Sequence, residues 1–186
     1  MKSVLSLSFV FFFAAFSVSL KTYVIKTGTD DKMEFQLFSE AFKDGDFIPA
    51  KYTCDGINIS PPLNWVHPPK DTKSFALIND DPDAPAGDWV HWVVYNIPSA
   101  ARELKENASK LKHLPHNSIE GINDFRQTGY GGPCPPSGIH RYFFKLYALD
   151  TLLNLKQRVA KKELLDAMEG HILALTELVG KYQRQR

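Results

Sequence analysis

The sequence predicts a mainly β domain of the α+β class, with antiparallel strands first and helices at the end. Three observations carry this reading. Short apolar runs rich in β-branched and aromatic residues recur between residues 33 and 149. The breaks between them are D-G, D-P, P-P and G-G clusters, and the 12 prolines and 11 glycines are more punctuation than a helical bundle tolerates. Helix formers gather after Leu155, so strands and helices are segregated rather than alternating.

Taken in order, the chain opens with Lys2 and an apolar run from Val4 to Leu20. The run is short for a membrane span and serines interrupt it. With Ser17 and Ser19 at A-x-A-like spacing, residues 1–19 are expected to be a signal peptide cleaved after Ser19. Residues 20–186 then form one exported domain, periplasmic or otherwise secreted. Met33, Phe35 and Leu37 alternate with polar residues as in a strand. Residues 44–62 hold two turns, and Leu63 to Val66 is a short strand. Ser74 to Asp80 is a short buried strand, ended by DDPDAPAG. Trp89 to Ile97, WVHWVVYNI, is the next strand; on its alternation His91 shares a face with Trp89, Val93 and Tyr95. A helical turn is expected within residues 99–107, and residues 108–128 are polar enough for a long surface loop. The stretch GYGGPCPPSGIHRYFFKLYALD changes from a stiff loop to a strand at Ile139, which runs to Leu149. Leu155 to Met168 reads as a helix ending at Gly170. From His171 to Tyr182, the spacing of Ile172, Leu175, Val179 and Tyr182 predicts a C-terminal amphipathic helix.

Composition narrows the function. The chain has 186 residues, 44% hydrophobic and 23% charged, with a formal net charge of +1 spread along its length. That is a globular domain with a sizeable core and no basic patch, which argues against nucleic-acid binding. Cys54 and Cys134, in two proline- and glycine-rich loops, are either a disulfide of an oxidising compartment or two small buried thiols. No histidine stands at metal-ligand spacing from them, so neither metal nor cofactor is expected. Sequons occur at Asn58 and Asn107 and carry weight only in a glycosylating host. Nothing in the chain signals an oligomeric state.

The residues with chemistry lie on two strands and the loops that adjoin them. Asp81 and Asp83 sit in a proline-fixed turn, where aspartate is a common turn former and can also orient a histidine. His91 lies within an apolar strand. His140 and Tyr142, two apart, point to one face of theirs. Each histidine alone reads as a satisfied core residue. Two histidines and a tyrosine beside stiff loops read as a site, because imidazole donors and the free N–H groups of residues 131–138 suit an anion. No G-x-S-x-G, H-E-x-x-H or Walker A pattern occurs, and Ser137 or Cys134 near His140 is weak as a nucleophile pair. The expectation is a binding protein, not an enzyme.

DPDAP, WVHWVVYNIP and GYGGPCPPSGIHRYFFKLYALD, in that order, closely resemble the phosphatidylethanolamine-binding protein family, nearest its prokaryotic, Raf kinase inhibitor-like branch. YTCDGINISPPLNW and GHILALTELVGKY extend the resemblance over roughly residues 35–182. It implies a central antiparallel β-sheet, a smaller second sheet, flanking helices and one helix near the C-terminus. It also implies a small anion pocket formed by Asp81, His91, His140 and Tyr142, with Asp83 supporting the loop and Arg141 turned away. Pro133, Cys134 and Pro136 would form the rim. The ligand implied is a phosphate-like anion or phospholipid head group. Some members of the family modulate a protein partner, so a protease inhibitor or signalling module with a secondary pocket is the alternative. Eukaryotic members often carry two successive histidines where this chain has Val90-His91. Their ligand preference therefore does not transfer, and neither does kinase regulation.

Overall fold

The computed structural model describes residues 33–110 and 112–184. The expected signal peptide, residues 1–19, lies outside them. Two antiparallel sheets share one core. The larger has the order β6-β4-β3-β7-β8, built from β3 (Ser74–Asp81), β4 (Trp89–Pro98), β6 (Ile119–Glu120), β7 (His140–Leu149) and β8 (Ile172–Tyr182). The smaller, β1-β2-β5, comprises β1 (Gln36–Phe38), β2 (Leu63–Val66) and β5 (Glu103–Leu104). One 3₁₀ turn, Ala50–Tyr52, and one helix, α1 (Lys161–Met168), complete the elements among the described residues.

The register of the central strand sorts side chains into two layers. All eight residues of β3 are buried, as expected for a strand paired on both edges and covered on both faces. Phe75 and Leu77 face the smaller sheet, where Trp65 packs edge-on against Phe75 at 5.4 Å between centroids. Leu63, Trp92, Phe144 and Leu146 fill the same layer. Ala76 and Ile78 face the other way, onto Leu164 and Met168 of α1. Each fully buried large side chain here contributes about 1.5–3 kcal/mol. On the α1 side the buried carboxylate of Asp80 is paired with both Lys145 and Lys161, and Lys161 also pairs with Asp88. Charges taken out of water need such partners.

The segment expected to be the C-terminal helix is a strand. β8 pairs with β7 along its length, from Leu149↔Ile172 to His140↔Tyr182. Its buried residues Leu178, Gly180 and Tyr182 alternate with period two, while Ile172 and Leu175 of the supposed helical stripe are exposed. The 3-4-3 spacing suits a helix, but along a strand it divides these four residues between the two faces. The open edge of β7, and the loop that covers the end of β8 through Gly45 N–H→Val179 O and Ile48 N–H→Lys181 O, decided for the strand. Two further expectations change. Residues 99–107 contain β5, and residues 108–128 contain β6 and return to the sheet rather than forming a plain surface loop.

Candidate functional site

The site forms where the layer between the sheets opens at one end of the larger sheet. Asp81 is the last residue of β3, on the same face as Phe75 and Leu77. On β7, His140 and Tyr142 share the face of Phe144. The β3–β7 pairing that sets Asp80 opposite Phe143 therefore brings Asp81 beside His140 and Tyr142. The Nδ1–H of His140 donates to Asp81 Oδ2 at 2.8 Å, with both side chains buried. Asp81 Oδ1 accepts the backbone N–H of Asp83 at 2.9 Å, which tightens the D-P-D turn. Among the described residues the prolines of this turn, like every other residue, follow trans peptide bonds.

His91 reaches the same place by a route that alternation does not predict. Asn79 pairs with Trp92 but Asp80 pairs with Val90, so His91 is the extra residue of a β-bulge. The bulge resets the phase of β4. Val90 joins Val93 and Tyr95 on the α1 side, and the His91 ring packs edge-on to Tyr142, in the other layer, at 5.1 Å. The expected sharing of a face with Val93 and Tyr95 is thus corrected. His91 is locked to Gly131 at two points: its carbonyl accepts the Gly131 N–H at 2.9 Å, and its Nδ1–H donates to Gly131 O at 2.6 Å. Because a carbonyl can only accept, the proton sits on Nδ1, and Nε2 is the ring's remaining polar atom. Burial pushes the imidazole pKa below its usual value, against the opposing pull of Gly131 O and Asp81, so the ring is neutral at pH 7.

The remaining parts hold this floor. Arg141 points away, as expected from alternation, and its guanidinium grips Asp83 through Nε and Nη2 at 2.8 and 2.7 Å. That fork holds the Asp83 carboxyl down at about 2. The Tyr142 hydroxyl is fully buried without a formed hydrogen bond. Burial, with the Asp81 carboxylate nearby, pushes its pKa up, so it stays a neutral phenol. Cys54 and Cys134 form a disulfide, which settles the two alternatives the sequence left open and removes Cys134 as a nucleophile. It ties the loop of residues 131–138 to the loop after the 3₁₀ turn, reinforced by Cys54 N–H→Pro133 O and Gly132 N–H→Asn58 Oδ1. Of the expected rim, Cys134 and Pro136 line the cleft. Pro133 stands one step behind, and Pro135 takes its place.

Together these residues bound a cleft of about 250 Å³. Asp81, His91, His140 and Tyr142 all line it. Sequence reasoning missed the outer wall. Phe125, 38% exposed, packs edge-on against both His91 and Trp89. It is set there by its neighbours: the Asn123 amide donates to Gly129 O and accepts from the Gln127 N–H, while Asp124 accepts the Val90 N–H at the bulge. A Cβ on Gly131 would meet the Phe125 ring at 2.6 Å, so glycine is required for that approach. The one available signal was an aromatic inside an otherwise polar segment. Its partner was unreadable, since it depends on a return to β4.

The model of the phosphatidylethanolamine-binding protein family matches residues 38–183. The UPF0098 protein of Methanothermobacter thermautotrophicus is 54% identical over 148 residues, 80% of this chain and 98% of that protein. A solved structure of a putative phosphatidylethanolamine-binding protein homologue from Chlamydia trachomatis is 43% identical, with a TM-score of 0.76 over 81% of this chain and 98% of that one. Escherichia coli YbcL, described as a new member of the mammalian family, is 34% identical with a TM-score of 0.77, over 82% and 99%. The two-sheet fold, the sequence blocks around Asp81, His91 and His140, and these matches place the chain in the phosphatidylethanolamine-binding protein family.

Proposed function

We propose that the protein is an exported, non-enzymatic binding protein whose cleft takes a phosphate-like anion, free or as a phospholipid head group. The convergence of His91, His140 and Tyr142 on one small cleft carries this reading. Export is supported by the basic-then-apolar N-terminus and by the Cys54–Cys134 bond, since such bonds persist in oxidising compartments. Binding without turnover suits a cleft whose one cysteine is tied in a disulfide.

The protonation pattern shapes the chemistry. Asp81 brings a carboxylate to the floor, and His140 answers it through Nδ1–H. Neutral His91 has spent its proton on Gly131 O and offers a lone pair at Nε2. An incoming anion therefore either brings its own proton, as a monoanionic phosphate does, or raises the His91 pKa and draws a proton from solvent. In the second case affinity weakens as pH rises above the His91 pKa of the empty cleft, which burial holds below the usual imidazole value.

Isothermal titration with inorganic phosphate and with phosphoethanolamine, on wild type and on His91→Ala and His140→Ala, tests the reading. The expected loss is about tenfold or more for each variant that still melts cooperatively. Equal binding by both variants would exclude this cleft.

A further inference from the structure

A second groove, of about 560 Å³, lies where residues 112–120 face the turn at residues 157–158. It shares no lining residue with the cleft around Asp81 and His91. Lys112 and Arg158 line it, both exposed. Among the described residues neither side chain has an ion pair or a hydrogen bond. Lys51, Arg141, Lys161 and Arg184, by contrast, each sit on a carboxylate. The one lining carboxylate, Glu120, accepts the Trp92 Nε1–H at 2.8 Å.

The backbone makes these two cations costly to keep. Lys112 has φ 54° and Arg158 φ 66°, both in the left-handed region. A Cβ is disfavoured there, and glycine or asparagine tolerates it best. Asn117, the third left-handed residue of the groove at φ 69°, is of the type the backbone favours. Lysine and arginine at the other two positions give folding nothing that asparagine would not give more readily. What they add is two unpaired charges on one groove. Ser118 lines the groove as well, and its hydroxyl is closed off from solvent and makes no hydrogen bond. A buried hydroxyl is costly to leave in that state.

We propose that this groove docks an acidic, extended segment of a partner protein, with carboxylates of the segment on Lys112 and Arg158. The other lining groups select this class of partner. Leu114 and Ile119 offer apolar contact, and the Asn117 and Gln157 amides offer donors and acceptors for a peptide backbone. Among the described residues no aromatic ring lines the groove to stack a base, and Glu120 opposes a run of phosphates. A single phosphate would leave most of a groove of about 560 Å³ unfilled, against about 250 Å³ in the cleft.

The test is fluorescence anisotropy of labelled hexaglutamate and labelled hexaglutamine, each titrated with the protein at low and at physiological ionic strength. Hexaglutamate is expected to bind at least about fivefold tighter than hexaglutamine, with the margin shrinking as salt rises. Lys112→Glu and Arg158→Glu each weaken hexaglutamate about fivefold, and Lys112→Arg retains it. Lys112→Asn and Arg158→Asn suit the left-handed backbone, so their Tm should not fall although binding weakens. A Tm well below wild type in both would show that the fold needs these side chains, and overturns the argument from the backbone. Equal binding of the two peptides, no binding of either, or charge reversals without effect overturns the docking site. So does an oligodeoxynucleotide or a phosphatidylglycerol vesicle binding more tightly than hexaglutamate through the same two side chains. His91→Ala should bind hexaglutamate as wild type does; a loss there would move the peptide to the cleft and overturn the groove. Failure of the groove in the other arms leaves the anion cleft standing, since the two sites have no lining residue in common.

Discussion

Replacing both cysteines, in Cys54→Ser/Cys134→Ser, removes the one covalent link between two loops that lie 80 residues apart in sequence. The chain-entropy treatment of a closed loop that long gives about 4–5 kcal/mol of stability at 25 °C. The hydrogen bonds that flank the link, Cys54 N–H→Pro133 O and Gly132 N–H→Asn58 Oδ1, act in the folded state and do not offset a gain that arises in the unfolded chain. For a domain of this size the loss corresponds to a fall in Tm of about 10–15 °C. Scanning calorimetry of the double variant, beside wild type with and without reductant, measures it. Reduced wild type and the variant should coincide. A fall of less than about 3 °C, or reduced wild type melting with the oxidised protein, would refute the entropic reasoning and show the loops to be held by their other contacts.

Two other consequences are as direct. In Gly121→Ala the new Cβ would lie 2.4 Å from Val159 O and 2.7 Å from Val93 Cγ1, with backbone on one side and a core valine on the other. Urea unfolding should show a loss of about 1–3 kcal/mol, and a neutral result would mean that the 121–122 bend shifts freely. His91 titrates lower when folded than when unfolded, because burial favours its neutral form. Its share of stability is therefore fully present above the unfolded pKa, near 6.5, and is lost as pH falls from there toward the folded pKa. His91→Gln should flatten this part of the stability–pH curve, and an unchanged slope would contradict the burial argument.

Much of the architecture was legible because strand periodicity and turn chemistry agreed with the global fold. Leu63–Val66 and the eight residues of β3 are read almost to the residue. Parity along one strand gave His140 and Tyr142 a common face, whereas Asp81 was joined to them by the family resemblance, and the β3–β7 register places it there. Two kinds of feature escaped. The 172–182 stretch carries helical spacing in its large apolar residues, and tertiary pairing with β7 overrode it. The bulge at His91 and the placement of Phe125 depend on contacts across strands and on a loop that comes back to the sheet, which no local pattern encodes. The disulfide was an open alternative, since two cysteines in two loops do not reveal whether the loops meet.

The unpaired residue in β4 also separates what folds this protein from what equips it. Asn79 pairs with Trp92 and Asp80 with Val90, on either side of it. His91 lies between these two pairs and takes no part in the β3–β4 register itself. It lines the cleft, held from the side by a glycine of another loop. A substitution at His91 therefore changes the wall of the cleft and its tie to Gly131 while the flanking β3–β4 ladder pairs stay as they are.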